Sequence, residues 1–349
     1  MMANGPGIDV PGRRFPWRSI ALYALAAVFL SLVVWRSRVW EAGDEIDEVS
    51  LLALALVPAL SIVPAVPLAL RSREILRTLG YRLSSLSLVP SAYYGNTAGF
   101  MTPASSGEIL RPSLLERGFG IPVAHGAAVV LFERLFSVYL FACSGFWAFT
   151  WTGLFPTAVS IALAPVFIIA PFFPTLAVRF LSDPLQSLGL ERALPSFARR
   201  RLHHLDGTGE SLKVLWLNPR LVIAFALLSY LTFGAMLLQF WLLVDGLGVD
   251  VAPAEVWVVL VTGNLAGVVS ALPLGLGATD AVMVALLRAY DVDLSTAAAI
   301  TVLMRCLVNL PTGLLGLAAY VTALRRRGDG AASGPGVMDV RPVVASNVE

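Results

Sequence analysis

The stretch NTAGFMTPASSGEILR, residues 96–111, decides how this chain folds. It begins inside an apolar segment that starts near Leu86 and ends at Pro103. Residues 105–107 read Ser-Ser-Gly and predict a turn, because these residue types favour non-helical backbone. A turn inside an apolar region predicts a helical hairpin in place of one continuous helix.

Charged side chains follow this turn inside the apolar region. Glu108 and Arg111 lie three residues apart and therefore share one helix face. Glu133 and Arg134 interrupt the next apolar stretch. Charges at membrane depth are tolerated only where protein or trapped water surrounds them. These residues are therefore the first indication of a functional site.

The composition is typical of a membrane protein. Of 349 residues, 57% are hydrophobic and 14% are charged, whereas soluble domains carry about 25% charged residues. Several apolar stretches reach the length of about 20 residues that spans a bilayer. We predict an all-α, polytopic membrane helix bundle without a soluble domain. We expect no metal site, no cofactor and no nucleic-acid partner.

The distribution of charge predicts the orientation, because basic loops stay in the cytoplasm. Arginine-rich segments lie at the N-terminus and at 71–82, 179–220 and 325–327, whereas 41–48, 151–154, 245–255 and 291–293 are acidic or neutral. Arg36 and Arg38 run against this scheme. The signs otherwise alternate only if 84–117 and 256–289 each enter and leave on one membrane face. We therefore predict two re-entrant hairpins and about six full spans, at 20–35, 49–70, 122–149, 155–178, 221–243 and 297–324.

The predicted domain organisation is simple. Residues 1–17 form a cytoplasmic N-terminal segment, residues 18–327 form a single membrane domain, and residues 328–349 form a disordered cytoplasmic tail. The membrane domain contains one long cytoplasmic loop at 179–220. We expect a multi-pass protein of the plasma (inner) membrane with both termini in the cytoplasm.

The two hairpins resemble each other. In each turn a proline precedes a glycine by four residues, and an arginine follows that proline by 31 residues in the first half and 32 in the second. We predict an inverted repeat with copies at about 84–178 and 256–324, an arrangement found in many transporters. The alternative is a chance match between common Pro-x-Gly turns. The matched positions are Pro103, Gly107 and Arg134, and Pro273, Gly277 and Arg305.

At these residues the sequence resembles the lysylphosphatidylglycerol synthase transmembrane-region family of flippase-like membrane proteins. The family's first motif, Pro-x-x-x-Gly-Glu-x-x-Arg, is matched in full by Pro103, Gly107, Glu108 and Arg111. A Glu-Arg pair follows in the family and is matched at 133–134.

The family's second motif usually reads Pro-Gly-Gly-x-Gly-x-x-Glu. Pro273, Gly275 and Gly277 match it, whereas Leu274 replaces a glycine and Asp280 replaces the glutamate. The family's late arginine is matched at Arg305, but its Asp shortly after the Glu-Arg pair is Ser137 here.

The resemblance covers about residues 15–327. It implies an integral membrane protein that moves lipids, or amino acids or sugars carried on lipids, between leaflets. In the family this region occurs alone, or fused to a soluble aminoacyl-lipid synthase or glycosyltransferase domain.

A phosphate headgroup that crosses about 30 Å of hydrocarbon needs a polar slot with fixed counter-charges. Arginine suits this role because its planar fork binds phosphate through two hydrogen bonds and stays protonated. The N–H groups of a turn that opens a helix add a second kind of anion site. The predicted headgroup-binding residues are Arg111, Arg134, Arg305, Ser105, Ser106 and Gly107.

Other polar residues are expected to support this slot. Acidic side chains would pair with the arginines when the slot is empty, or carry a proton that couples transport to a gradient. The predicted charge partners are Glu108, Glu133 and Asp280, the hairpin turns are formed by Pro103, Gly107, Pro273, Gly275 and Gly277, and the polar cavity residues are Asn96, Asn264 and Asn309.

These assignments have structural alternatives. Arg111 could instead form a salt bridge with Glu108, and a lone Arg305 could be capped by Asn309. Asp280 could stabilise a helix N-terminus. The other two asparagines, at 96 and 264, could form hydrogen bonds between helices.

Three functions fit the sequence. The first is a translocase for an anionic lipid or a lipid-linked amino acid or sugar. The second is a non-transporting partner of a separately encoded lipid-modifying synthase or glycosyltransferase. The third is a membrane transferase with Glu108 and Asp280 as acid or base. We favour the first, and therefore a protein that is not an enzyme and whose partners are membrane lipids.

Overall fold

The computed structural model describes residues 50–101, 108, 110–153, 206–270 and 272–330, with scattered positions between 24 and 35 and between 156 and 175. Within these ranges every regular element is a helix, which confirms the all-α prediction. The elements are α1 Leu51–Leu60, α2 Ala65–Thr78, α3 Ser85–Met101, α4 Leu110–Phe119, α5 Val123–Trp151, α6 Asp206–Trp216, α7 Pro219–Asp245, α8 Pro253–Ser270, a short turn of 3₁₀ helix Pro273–Gly275, α9 Ala278–Ala289, α10 Leu294–Met304, a π-helical turn Arg305–Asn309 and α11 Leu310–Gly330.

Five helical segments of the described chain are long and apolar enough to cross a membrane. The chain is therefore a multi-pass membrane protein. These segments are Ala53–Thr78, Val123–Trp151, Pro219–Asp245, Pro253–Ser270 and Leu294–Ala319.

Four of the five coincide with the predicted spans 49–70, 122–149, 221–243 and 297–324. The predicted spans 20–35 and 155–178 lie largely outside the described residues. The fifth segment, α8, was predicted as one limb of a hairpin. Its 18 residues measure about 27 Å, which is enough to cross most of the hydrocarbon core. The re-entrant course of this hairpin stays a prediction.

The first of these spans is broken at its prolines. Helix α1 contains Pro58 and ends at Leu60, and residues 61–64 form a turn before α2 begins. Proline removes a backbone hydrogen bond and crowds the preceding turn, which explains the break. Helix α2 then continues to Thr78, beyond the predicted end at Leu70. This extension brings the arginines that follow Leu70 into a helix that packs against the bundle.

The two hairpins have the same build, a long limb followed by a short one. In the first, α3 has 17 residues and α4 has 10, and in the second, α8 has 18 and α9 has 12. The turn of the second hairpin has positive φ at Leu274 (58°), Gly275 (59°) and Gly277 (80°). Glycine adopts such angles readily, and Leu does not. A Cβ on Gly267 would collide with Thr279, so glycine lets the two limbs approach closely.

A further helical segment follows each hairpin, and an arginine lies at the same distance from the start of each segment. Arg134 lies eleven residues after Val123, where α5 begins, and Arg305 lies eleven residues after Leu294, where α10 begins. The predicted inverted repeat agrees with this spacing, and its membrane orientation stays a prediction.

Helix α3 connects the two halves. It packs along α2 and α11 and also contacts the Pro273–Gly275 turn. Thr97 of α3 lies against Gly316 of α11, where any larger residue would collide with it. Small residues at such crossings allow close helix packing inside membranes.

An aromatic cluster fixes the position of α5. Phe132 and Phe136 of α5 contact Phe225 of α7 and Trp216 of α6, with ring centroids between 4.6 and 5.4 Å apart. Both α5 phenylalanines are fully buried. Because Glu133 lies between them, this packing also fixes the charged residues that follow Phe132.

Candidate functional site

Glu133 and Arg134 are neighbours on α5 and point in different directions. Glu133 pairs with Arg111 of α4, and Arg134 pairs with Glu108 at 3.3 Å. The alternative in which Arg111 pairs with Glu108 is therefore wrong. Because α4 lies along α5, each of these charges finds its partner on the neighbouring segment and not on its own.

The Arg111–Glu133 pair is deeply buried, with Arg111 only 4% exposed. Both terminal nitrogens of Arg111 donate to the carboxylate, and Nη2 also donates to Ser72 Oγ at 2.7 Å. Ser72 donates in turn to Glu133 Oε1 at 2.7 Å. A Cβ on Gly95 would collide with Arg111 Cδ, so a glycine in α3 is needed for the arginine to lie here.

A further buried arginine, Arg71 of α2, was missed from the sequence. It is 6% exposed and donates from Nη1 to Ser137 Oγ at 3.2 Å and to Ser229 Oγ at 3.0 Å. Its guanidinium lies over the ring of Phe225, 5.0 Å from the centroid, in a cation–π contact. Arg71 is thus part of the site and not of a cytoplasmic loop.

The sequence contained a signal for this burial. Leu68, Arg71, Ser72 and Ile75 are spaced as the inward stripe of one helix, and all four are buried. In contrast, the side chains of Arg73 and Arg77 are 41% and 68% exposed. The charge of Arg71 was counted with those of its exposed neighbours because the helix was expected to end at Leu70.

The Glu108–Arg134 pair lies nearer to the surface of the bundle. The Glu108 side chain is 15% exposed and that of Arg134 is 35% exposed. Arg111 and Glu133 also lie close enough to interact electrostatically with Glu108, and Arg71 interacts with both of them. We call these five residues, Arg71, Glu108, Arg111, Glu133 and Arg134, the first-half cluster.

In the second half Arg305 forms a bidentate pair with Asp280. Nε and Nη2 each donate to one carboxylate oxygen at 3.0 Å, and Nη1 donates to the Leu274 carbonyl at 2.8 Å. Asp280, which is 2% exposed, also accepts a hydrogen bond from the Gly277 backbone N–H at 2.8 Å. Asp280 therefore has both roles considered for it, as a helix cap and as the arginine's partner.

The capping of Arg305 by Asn309 is not what the structure shows. All three hydrogen bonds of the guanidinium go to the second hairpin. Arg305–Asn309 instead forms a single π-helical turn, a feature that is frequent at functional sites.

A small cavity lies beside this pair. It has room for about one water molecule. Asn264, whose Nδ2 donates to the Leu260 carbonyl of its own helix at 2.7 Å, contributes to its lining. The cavity is lined by Asn264, Thr279, Asp280, Met283, Met304, Arg305 and Asn309.

The Glu108–Arg134 and Asp280–Arg305 pairs take equivalent places in the two halves. In each, the acid lies at the start of the short limb of a hairpin, and the arginine lies eleven residues after the residue that begins the following helix. The acid and the arginine are therefore paired in the same way in the two halves. The sequence predicted both acids as charge partners of arginines, but not which arginine each one contacts.

The two halves differ at the neighbouring positions. In the first half, Arg111 lies three residues after the acid of the pair, and Glu133 lies one residue before its arginine. In the second half, Met283 and Met304 occupy these two positions. The first half thus carries an additional buried ion pair where the second has two thioether side chains beside the cavity.

Several predicted site residues cannot be placed in this geometry. Pro103, Ser105, Ser106 and Gly107 lie outside the described residues, as does the side chain of Asn96. Among the residues that are described, no three His, Cys, Asp or Glu side chains are arranged to hold a metal ion. The carboxylates of the site are instead occupied by arginines.

A family model described as the lysylphosphatidylglycerol synthase TM region matches residues 19–316. The chain belongs to this family. The match takes in both hairpins and both acid–arginine pairs. The family's second motif has glycine where this chain has Leu274, and the φ of 58° at Leu274 shows why glycine suits that position.

One curated relative is similar to part of the chain. Glycosyltransferase AglD of Haloferax volcanii is 30% identical over 124 residues, which is 35% of this chain and 19% of AglD. The matched part of this chain therefore spans about a fifth of the relative's length.

Proposed function

We propose that this chain moves an anionic lipid, or an amino acid or sugar carried on such a lipid, between the two leaflets of the plasma membrane. The headgroup phosphate would pass the Glu108–Arg134 and Asp280–Arg305 pairs. An unpaired phosphate cannot cross about 30 Å of hydrocarbon at a useful rate, since burying an isolated charge costs far more than thermal energy.

The observation that supports this proposal is the equivalence of the two pairs. In each half a carboxylate occupies the place beside an arginine that a phosphate could take, and at Arg305 it does so in the bidentate geometry that also fits phosphate. A phosphate that arrives can exchange with the carboxylate, so the arginine is not left unpaired at any stage. This exchange would lower the barrier to crossing.

The described conformation would then be a closed state. Its cavity holds about one water molecule, so a headgroup can enter only when the hairpins part. In our proposal the segments 84–178 and 256–324 are inverted repeats, both termini are cytoplasmic, and each half opens its pair toward one face in turn. Helix α3, which contacts α11 and the Pro273–Gly275 turn, would transmit movement between the halves.

Leaflet exchange in vesicles tests this proposal. The purified chain is reconstituted into liposomes that carry tail-labelled fluorescent phosphatidylglycerol, and a membrane-impermeant quencher reports how much label reaches the outer leaflet. We expect exchange with the wild type and a loss of at least about tenfold for Arg134→Gln, since a hydrogen bond to a charged group contributes about 1.5–3 kcal/mol. Arg77→Gln is the matched control, because Arg77 is 68% exposed and pairs only loosely with Glu74.

The proposal is refuted if folded Arg134→Gln exchanges the label at the wild-type rate. Folding is checked by size-exclusion chromatography in detergent. In this proposal the chain makes and breaks no covalent bond, so mass spectrometry of the recovered lipid should show an unchanged mass.

A second candidate is supported by the relative AglD. The matched 124 residues are only 19% of that protein, whose printed name is that of a glycosyltransferase. In this second proposal the chain is the non-transporting membrane partner of a separately encoded glycosyltransferase or lipid synthase. Liposomes that contain this chain alone decide between the two functions. A scaffold would show no exchange, and Arg134→Gln would leave its association with the synthase or glycosyltransferase unchanged. A translocase would show exchange without a partner.

A further inference from the structure

The break between α1 and α2 is a short stretch of 3₁₀-like backbone inside a membrane span. Each N–H group between residues 61 and 65 donates to the carbonyl three residues earlier, at 3.0 to 3.2 Å. Ser61 and Pro64 have φ of −62° and −61°, and both have ψ of −18°, which is close to the backbone of a 3₁₀ helix. Such a stretch in the middle of a helix often marks a hinge.

This stretch takes the usual backbone donors away from two carbonyls. In a regular α-helix the Val57 carbonyl binds the N–H of Ser61, and the Ser61 carbonyl binds the N–H of Ala65. Here both N–H groups bind carbonyls three residues back instead. The residue three after Ser61 is Pro64, which has no N–H to offer. Val57 and Ser61 are both buried, so their carbonyls need other donors.

Side chains from two other helices supply these donors. Gln239 of α7 donates from Nε2 to the Val57 carbonyl at 2.6 Å and to Ser61 Oγ at 2.8 Å. Tyr93 of α3 donates its hydroxyl hydrogen to the Ser61 carbonyl at 2.8 Å. Both side chains are buried. A buried carbonyl without a donor is costly, so Gln239 and Tyr93 stabilise the 3₁₀ form of the break.

A regular α-helix is the other form that this stretch can adopt. The N–H groups of Ser61 and Ala65 would then return to the carbonyls of residues 57 and 61, and the two side-chain donors would be released. The Leu60 carbonyl would lose its present donor, because its α-helical partner is Pro64. The two forms thus differ by few hydrogen bonds, and the proline favours the 3₁₀ form.

The break lies between helices that contact different halves of the site. Helix α1 contacts the π-helical turn that begins at Arg305, whereas α2 carries Ser72, which binds both Arg111 and Glu133. One residue turns the chain by about 120° in a 3₁₀ helix and by about 100° in an α-helix. Converting four residues would therefore turn α2 by about 80° relative to α1 and move Ser72 away from the ion pair.

We propose that residues 61–65 switch between a 3₁₀ form and an α form, and that Gln239 and Tyr93 lock the 3₁₀ form in the closed state. Release of the lock lets α2 turn and opens the first-half cluster. The inference deepens the proposed function and rests on it, because it names what holds the closed state. The lock itself is testable without transport.

Replacing Pro64 tests the lock, because Pro64→Ala supplies an N–H that can bind the Ser61 carbonyl. Unfolding of the full chain in mixed micelles, followed by tryptophan fluorescence, gives the equilibrium constants. We expect Tyr93→Phe alone to raise the unfolding constant by at least about fivefold, and by less than about twofold in the Pro64→Ala background. Pro58→Ala is the matched control. It removes a proline from the same span, but its new N–H points back along α1, so the cost of Tyr93→Phe should persist.

The lock is overturned if Tyr93→Phe has the same cost in all three backgrounds. The hydroxyl would then act through another contact, such as its hydrogen bond with Thr312. If Tyr93→Phe folds only in the Pro64→Ala background, that rescue supports the lock. Failure to fold in every background contradicts it.

Leaflet exchange in the liposomes described above tests the switch. Loss of a locking hydrogen bond lowers the population of the closed state, so we expect Tyr93→Phe and Gln239→Met each to raise exchange by about fivefold. Unchanged or slower exchange by either variant, with an active wild type, would overturn the switch. Rescue by Pro64→Ala without any exchange by the wild type would refute the transport function and leave the lock standing.

Discussion

Replacing Asp280 by Asn should destabilise the protein strongly, because it leaves the Arg305 guanidinium buried without its counter-charge. Asp280 is 2% exposed and accepts both donors of the arginine fork at 3.0 Å. The side chain of Arg305 is 14% exposed. Removing one partner of such a pair costs about 3–5 kcal/mol, most of it from the unpaired charge that remains.

A double-mutant cycle isolates the interaction between the two side chains. We expect the double variant, Asp280→Asn with Arg305→Gln, to be less destabilised than the sum of the single variants by about 1–3 kcal/mol. The matched control is the Arg288–Asp293 pair, which is separated by 4.0 Å and is 49% and 89% exposed. Exposed pairs couple by about 0–1 kcal/mol.

Unfolding in mixed micelles, followed by tryptophan fluorescence as the proportion of denaturing detergent rises, gives the free energies of all the variants. A coupling energy for Asp280–Arg305 that is no larger than that of Arg288–Asp293 would refute the reasoning. It would mean that the pair is hydrated or absent in the membrane, and that the second half offers no fixed site for a phosphate.

Other predictions concern the glycines and the strained turn. Gly95→Ala should push Arg111 away from Glu133 and lower leaflet exchange in the liposome assay, whereas Gly234→Ala, with open space around it, should leave exchange unchanged. Wild-type exchange by Gly95→Ala would contradict the packing of Arg111 against α3. Leu274→Gly should stabilise the protein by about 0–1 kcal/mol in the micelle unfolding assay, because relief of a left-handed leucine outweighs the flexibility of glycine. A clear loss of stability would show that the leucine side chain matters more than its backbone angle.

The membrane bundle was predictable from the sequence because its signals are local. Runs of apolar residues predicted four of the spans, and Pro58 and Pro64 lie where the chain breaks between α1 and α2. The divergence of Glu133 and Arg134 followed from helical geometry alone, since adjacent residues lie about 100° apart on a helix.

The pairing of charges was not predictable in the same way. Arg111 could have met Glu108 or Glu133, and the choice depends on how α4 lies along α5, which local periodicity does not report. The burial of Arg71 was not predicted, because an arginine directly after an apolar run is typical of a basic cytoplasmic loop. Its spacing with Leu68 and Ile75 was the better guide.

The central claim is that both acid–arginine pairs serve one path through the membrane. The most direct test is leaflet exchange of labelled phosphatidylglycerol by Arg134→Gln and Arg305→Gln, each alone, in the same liposomes as the wild type. The account predicts that either change lowers exchange by at least about tenfold while the protein stays folded. Wild-type exchange by either variant would show that its half of the protein does not handle the phosphate.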